Sequence, residues 1–340
     1  TPLGWLRSIG VGTYLGEPDP ETDRRYEQAM ARAVALGVNV IDTAINYRFQ
    51  RSERTIAAAL GRLFGGGELA RDEVVISTKG GFLTPDADVR LDPNRYFHEE
   101  YVRTGIITSD DVVGGMHCMT PRYLENQLAR SLRNLDLETI DIYYLHNPET
   151  QLPAVGRNQF LDRMRAAFEA LEGFVAAGKL RVYGTATWNG YRQRPGAPDF
   201  LSLAELVRLA EEVAGANHRF KVVQLPYNLA MPEAFASPNQ SLDTGPASFL
   251  EAAQQLGITV FASASMLQGQ VARNLSAEIR SALDGLDTDA QRAIQFVRST
   301  PGITTALVGM SRVEHVEENL RLAAKPPASR EKILALFPSN

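Results

Sequence analysis

The chain has 340 residues, a formal net charge of −5, 44% hydrophobic and 22% charged residues, an ordinary globular balance with enough length to bury a large core. It holds no run of 18 apolar residues, which excludes a spanning helix, and its one cysteine, Cys118, excludes an intrachain disulfide and a cysteine-built zinc site. A pI of about 5.7 without any Lys/Arg run argues against a nucleic-acid surface.

Along the chain, short β-branched runs alternate with longer amphipathic stretches. The first glycine-rich segment, Gly10-Val11-Gly12 through Gly16, resembles a dinucleotide loop, but Glu17-Pro18-Asp19-Pro20 follows where a helix should begin. A tight turn near a strand is the better reading. Strand-like runs then come at Val38–Ile41, Val74–Thr78, Ile140–Leu145, Leu180–Thr185, Lys221–Leu225, Ile258–Ala262 and Thr304–Val308. Helical spacing lies between them, as in Tyr26, Met30, Ala33 and Val34, or Leu124, Leu128 and Leu132. Thr120-Pro121 reads as an N-cap with proline at the first helical position, and Gly37 and Gly178 read as helix stops. Seven β-then-α units, with an eighth strand near Val11–Leu15 or within 51–75, predict a single-domain (β/α)8 barrel. A doubly wound sheet is the alternative.

Residues 82–118 break the rhythm and form a long insertion after the second barrel strand. The segment carries Asp86, Asp88, Asp92, Glu99, Glu100, Asp110 and Asp111 against Arg90, Arg95 and Arg103, together with Phe82, Tyr96, Phe97 and Tyr101. A long βα loop of this kind is expected to be a substrate-side lid.

Polar residues at strand ends carry the strongest signal. Val38-Asn39-Val40-Ile41 ends in Asp42, with Tyr47 five residues later. Val74–Thr78 ends in Lys79, and Ile140–Leu145 ends in His146. Barrel enzymes place their chemistry on this carboxyl-terminal face. Only five lysines stand beside 30 arginines, so Lys79 supplies a compact, tunable amine that arginine cannot.

Asp42-Thr43-Ala44-Ile45-Asn46-Tyr47, Ser77-Thr78-Lys79-Gly80, Tyr144-Leu145-His146-Asn147-Pro148 and the tail Gly302–Ser311 through Glu318-Asn319 together resemble the aldo-keto reductase superfamily, over about residues 9 to 322. The resemblance implies a catalytic tetrad of Asp42, Tyr47, Lys79 and His146, and NADP(H) as cofactor. The substrate implied is a small carbonyl compound or its alcohol. Physical chemistry supports these roles. A phenol is a poor acid at its usual pKa of about 10, and a neighbouring ammonium lowers that value. Lys79 is therefore expected to assist Tyr47, with Asp42 holding Lys79 and His146 aiming the carbonyl.

Cofactor contacts implied by the resemblance are Gly12, Thr13, Gln224, Gly309, Ser311, Arg312, His315, Glu318 and Asn319. Ser311-Arg312-Val313-Glu314 also reads as a capping box opening a helix, a natural phosphate site. The chain departs from the family where a Ser-Asn pair often holds the nicotinamide amide: Ala186 and Thr187 stand there, with Asn189 as a candidate substitute. Ser263 stands where an aromatic residue is common. These departures keep a second reading open, a nucleotide-binding regulatory module with little turnover. A Schiff-base aldolase using Lys79 ranks third. With no secretory signal visible, a cytoplasmic location is expected.

Overall fold

A computed structural model describes residues 3–337. Eight parallel strands close into a barrel in the order β1 (Ile9–Gly12), β2 (Val40–Asp42), β3 (Val75–Gly80), β4 (Ile140–His146), β5 (Leu180–Ala186), β6 (Phe220–Pro226), β9 (Thr259–Ser263) and β10 (Thr305–Gly309), with β10 pairing back to β1. A small antiparallel hairpin, β7 (Gln240–Leu242) and β8 (Gly245–Ala247), lies in the connection between β6 and β9. The doubly wound alternative is excluded by the closure.

All seven expected runs are barrel strands, within two or three residues at their ends. The eighth is β1, so Gly10 and Gly12 belong to a strand and only Gly16, at φ 110°, turns the chain. Counting β1 moves the insertion: it follows the third barrel strand, not the second. The glycines hid β1 because they lack the β-branched signature of the other strands.

Two layers of core hold the frame. Inside the barrel, Val40, Val75, Ile142, Tyr144, Val182, Val222, Phe261 and Leu307 pack together. A larger cluster fills the space between strands and helices, as expected when both faces of a parallel sheet are covered. At Gly184 a Cβ would stand 1.8 Å from the carbonyl oxygen of Val222, so β5 and β6 approach closely only because this position is glycine. The helix Pro121–Leu135 starts as expected, with Thr120 as N-cap and Pro121 at its first position.

The insertion has structure of its own. It holds a short helix at Pro93–Phe97, a π-type turn at His98–Val102 and a small apolar cluster of Tyr96, Tyr101, Ile107 and Cys118 against Tyr123. Three of its seven acidic side chains pair with arginines of the barrel helices: Asp86 and Asp88 with Arg54, Asp88 also with Arg51, and Glu100 with Arg130. These pairs fasten the insertion to the barrel. Among its aromatics, only Phe82 reaches the central cavity.

Candidate active site

Barrel register brings the expected residues together. Gly12 pairs with Asp42 and Asp42 with Ser77, while His146 lies beside Ala186 and Ala186 beside Gln224. These rows form the floor of a cavity of about 770 Å³ at the carboxyl ends of the strands. Asp42, Tyr47 and His146 line it, with Lys79 buried just beneath.

The Asp42–Lys79 pair is closely bonded. Asp42 Oδ2 accepts from Lys79 Nζ at 2.7 Å, and its Oδ1 accepts from Ser77 Oγ at 2.6 Å and Gln224 Nε2 at 2.7 Å. Lys79 also donates to the Thr43 carbonyl at 2.7 Å, and its Nζ lies 4.8 Å from the centroid of the Tyr47 ring. A buried ion pair is stable only when its remaining donors and acceptors are met, and here they are. Burial opposes the charge on Lys79, but Asp42 and Tyr47 hold its pKa above the ordinary value. An amine held in an ion pair with Asp42 at 2.7 Å is a poor Schiff-base nucleophile, which argues against the aldolase reading.

Tyr47 departs from expectation. Lys79 does draw the phenol down, but burial is the larger influence and the net pKa lies above 10. Tyr47 is therefore a protonated phenol at neutral pH, a donor rather than a partial phenolate. His146 is held well below its usual pKa, first by burial and then by Lys79 and His117, so it is a neutral imidazole. Its ring stands edge-on to Tyr47, centroids 6.0 Å apart, and to Phe82 at 5.0 Å.

The turn that presents Tyr47 is unusual. Arg48, Phe49 and Gln50 all have positive φ, at 50°, 54° and 75°. Consecutive left-handed residues other than glycine are costly, at roughly 1–2 kcal/mol each. Side chains hold the turn in place: Arg48 pairs with Asp23 and donates to the Glu17 carbonyl, and Gln50 bonds Pro85 and Asn134.

Most expected cofactor residues face the same cavity: Gly12, Thr13, Gln224, Ser263, Gly309, Ser311, His315, Glu318 and Asn319 line it. Two do not. Asn189 gives its backbone N–H to Glu149, and Trp188 takes the lining position instead. Arg312 is exposed at the rim, as the N-cap of the helix Val313–Leu320, with no side-chain cap bond. Ser311 therefore lies one residue before the cap, and the expected capping box is not formed.

Sequence reasoning passed over three features. The loop Ala264–Gly269 lines the cavity with positive φ at Ala264, Leu267 and Gln268, a backbone conformation that no glycine pattern announces. Trp188 and Tyr14 bring aromatic surface to the cavity. Glu149, fully buried, accepts from the backbone N–H groups of Trp188, Asn189 and Gly190 at 2.7, 3.1 and 3.4 Å and so seats the loop after β5. Among the described residues there is no cluster able to hold a metal ion, and no helix is long and apolar enough to cross a membrane.

A closed parallel barrel with ionisable side chains gathered at its strand ends is the frame of a barrel enzyme. The chain belongs to the aldo/keto reductase family, whose profile matches residues 8–336. It is 23% identical over 339 residues to Protein tas of Escherichia coli, covering 93% of this chain and 89% of that one. It is also 23% identical over 328 residues to an uncharacterized oxidoreductase of Schizosaccharomyces pombe, covering 94% and 80%. In fold it is similar to an aldo/keto reductase of Klebsiella pneumoniae solved with NADP and acetate, at a TM-score of 0.65 and 21% identity over 97% of this chain and 90% of that one.

Proposed function

We propose that this protein reduces an aldehyde or ketone to the alcohol with NADPH, or runs the reverse oxidation, and that Tyr47 donates the proton. The observation that carries the reading is the buried Asp42–Lys79 pair beneath a protonated phenol that opens into the cavity.

The residues present fit a dinucleotide. The cavity runs from Tyr47 to His315 and Asn319, and it is lined by two groups that call for a polar ligand: the buried side-chain oxygens of Thr187 and Asn46 have no protein partner. Gln224 and Thr187 would hold the carboxamide. The backbone around Leu267 would lie along the pyrophosphate, and Ser311, Arg312, His315, Glu318 and Asn319 would surround the adenosine end. When bound, the nicotinamide supplies hydride.

The chain's own residues do the rest. Tyr47 gives its hydroxyl proton to the carbonyl oxygen as that oxygen gains electron density. Lys79, held charged by Asp42, stabilises the phenolate left behind. Neutral His146 donates a ring N–H to the same oxygen and fixes the direction of the carbonyl. Tyr14, Phe82 and Trp188 shape this end of the cavity, with no Lys or Arg among the lining residues, which suits neutral carbonyl compounds with an apolar or aromatic group.

A panel of neutral aldehydes and ketones with NADPH, followed by the loss of nicotinamide absorbance, tests the reading. Consumption abolished in Tyr47→Phe is the expected result. Tight NADPH binding without any hydride transfer would return the protein to the regulatory-module reading.

A further inference from the structure

We infer that His117, at the far end of the insertion, is a positioning residue for His146 and fixes both the backbone and the ring of that histidine. The inference rests on His146 aiming the carbonyl, as proposed above.

A chain of three hydrogen bonds ends on His146. His117 is only 1% exposed, and its Nε2 lies 2.7 Å from the backbone carbonyl oxygen of His146. A carbonyl can only accept, so Nε2 must carry the hydrogen. The Nδ1 atom is then the acceptor, and Gln151 Nε2 stands 3.0 Å from it. The side-chain oxygen of Gln151 in turn accepts from Arg163 Nη1 at 2.8 Å. Each link donates in one direction, from a guanidinium to an amide, an imidazole and a peptide carbonyl. This chain leaves His117 one tautomer. Burial keeps it neutral, with its pKa down to about 4.

The ring of His146 is reached by a second route. Phe82 meets His117 edge-on at 5.1 Å and His146 edge-on at 5.0 Å, so its ring stands between the two imidazoles. Moving or replacing His117 frees Phe82 and, through it, the imidazole of His146. The backbone between them is built for this approach. Gly81 has φ 147°, and a Cβ there would come within 2.8 Å of His117 Nε2 and 3.0 Å of the His146 carbonyl oxygen. A side chain at 81 would wedge the pair apart.

The insertion itself is laced to β3 so that His117 arrives at this point. Leu83 donates to the Met116 carbonyl at 2.7 Å and Cys118 to the Gly81 carbonyl at 2.8 Å, which closes the two ends of the segment on each other. The insertion thus delivers to the site one buried histidine that acts through another.

Two substitutions separate the donor from the bulk. His117→Phe keeps a ring against Phe82 but removes the N–H to the carbonyl, whereas His117→Gln keeps a donor and an acceptor. A displacement of the aiming group by a fraction of an ångström is worth roughly 10- to 100-fold. His117→Phe should therefore lower kcat with a good aldehyde by that factor, leave the Kd for NADPH unchanged, and be largely rescued by His117→Gln. Independently of turnover, the imidazole nitrogen resonances of His146 should shift in His117→Phe and return in His117→Gln. Absence of turnover in the wild type would defeat the proposed function alone, and the resonances would then decide this inference. Unchanged kcat and unchanged His146 resonances in His117→Phe would overturn it, as would equal losses in the two variants. Should His117→Phe not fold, Gln151→Met, which withdraws the donor to Nδ1, is expected to give a smaller change in the same direction, and no change there overturns the inference.

Discussion

The two ends of the cavity are built on opposite terms. At the Tyr47 end, Asp42 and Lys79 rise from barrel strands and are held by their neighbours: Asp42 alone accepts from Ser77, Lys79 and Gln224. At the far end, the lining comes from loops and a helix start, and Arg312 is exposed without a side-chain cap bond. Between the two, Thr187 on the loop after β5 and Asn46 beside Tyr47 each leave a buried side-chain oxygen without a protein partner. The lesson is one of preorganisation. On the proposed function, groups that must be in place before a proton moves are fixed by the fold, while groups that would meet a ligand are left for the ligand to complete.

This contrast can be broken most sharply at Tyr47. Tyr47→Phe removes the proton donor and little else, so the rate of carbonyl reduction should fall by roughly 10²- to 10⁴-fold while NADPH affinity, measured by fluorescence titration, stays level. A near-parental rate would move the proton to another group.

Acid should expose the tightly built end through its histidines. His117 has a folded pKa of about 4 against an ordinary 6.5, and His146 is shifted the same way. Between those values the unfolded chain binds protons that the native protein refuses, so stability falls as pH drops through that window, by up to about 1.4 kcal/mol per pH unit for each histidine. Buried Glu53 and Glu149, whose pKa values are raised mainly by burial, act in the opposite sense above 4.5. Comparing His117→Gln with the parent cancels them. The variant's melting temperature should fall less steeply between pH 6.5 and 4, and parallel curves would show that His117 titrates normally.

The loosely built end should respond by charge. Arg312→Ala is expected to weaken NADPH roughly 10-fold, the lower end of what a charged hydrogen bond contributes at an exposed, salt-screened site, and to leave NADH unchanged. Equal losses for both nucleotides would take Arg312 out of phosphate recognition. Smallest is Thr187→Val, which deletes the unpartnered hydroxyl and keeps the shape. It should weaken both nucleotides by about 2- to 10-fold, with no change in the pH dependence of turnover. Tighter binding would show that this oxygen is a cost rather than a contact.

The same division governs how much the sequence discloses. Asp42, Lys79 and His146 could be read because each ends an apolar run, and a strand fixes its direction. The barrel followed from the repetition of those runs, and the eighth strand lies at the first of the two places offered, starting two residues earlier, at Ile9. His117 could not be read, since its role depends on how an aperiodic insertion folds back on Gly81. Glu149 was equally silent, because its partners are backbone amides. Ser311 looked like a cap by spacing, yet the helix starts one residue later, with Arg312 at the cap. Nor could the sequence show which acids of the insertion meet arginines of the barrel helices, as Asp86, Asp88 and Glu100 do.

The left-handed turn after Tyr47 has a bearing on engineering. Its three residues are not equivalent: Arg48 and Gln50 are buried and bonded, whereas the Phe49 side chain is 46% exposed at φ 54°. Phe49 carries the conformational cost without an anchoring side-chain bond of the kind its neighbours make. Asparagine tolerates that backbone region far better, so Phe49→Asn offers a gain in heat resistance, on the order of 1 kcal/mol, at a position two residues from the proposed proton donor. Thermostabilisation and catalysis, so often opposed, are here separable within a single turn.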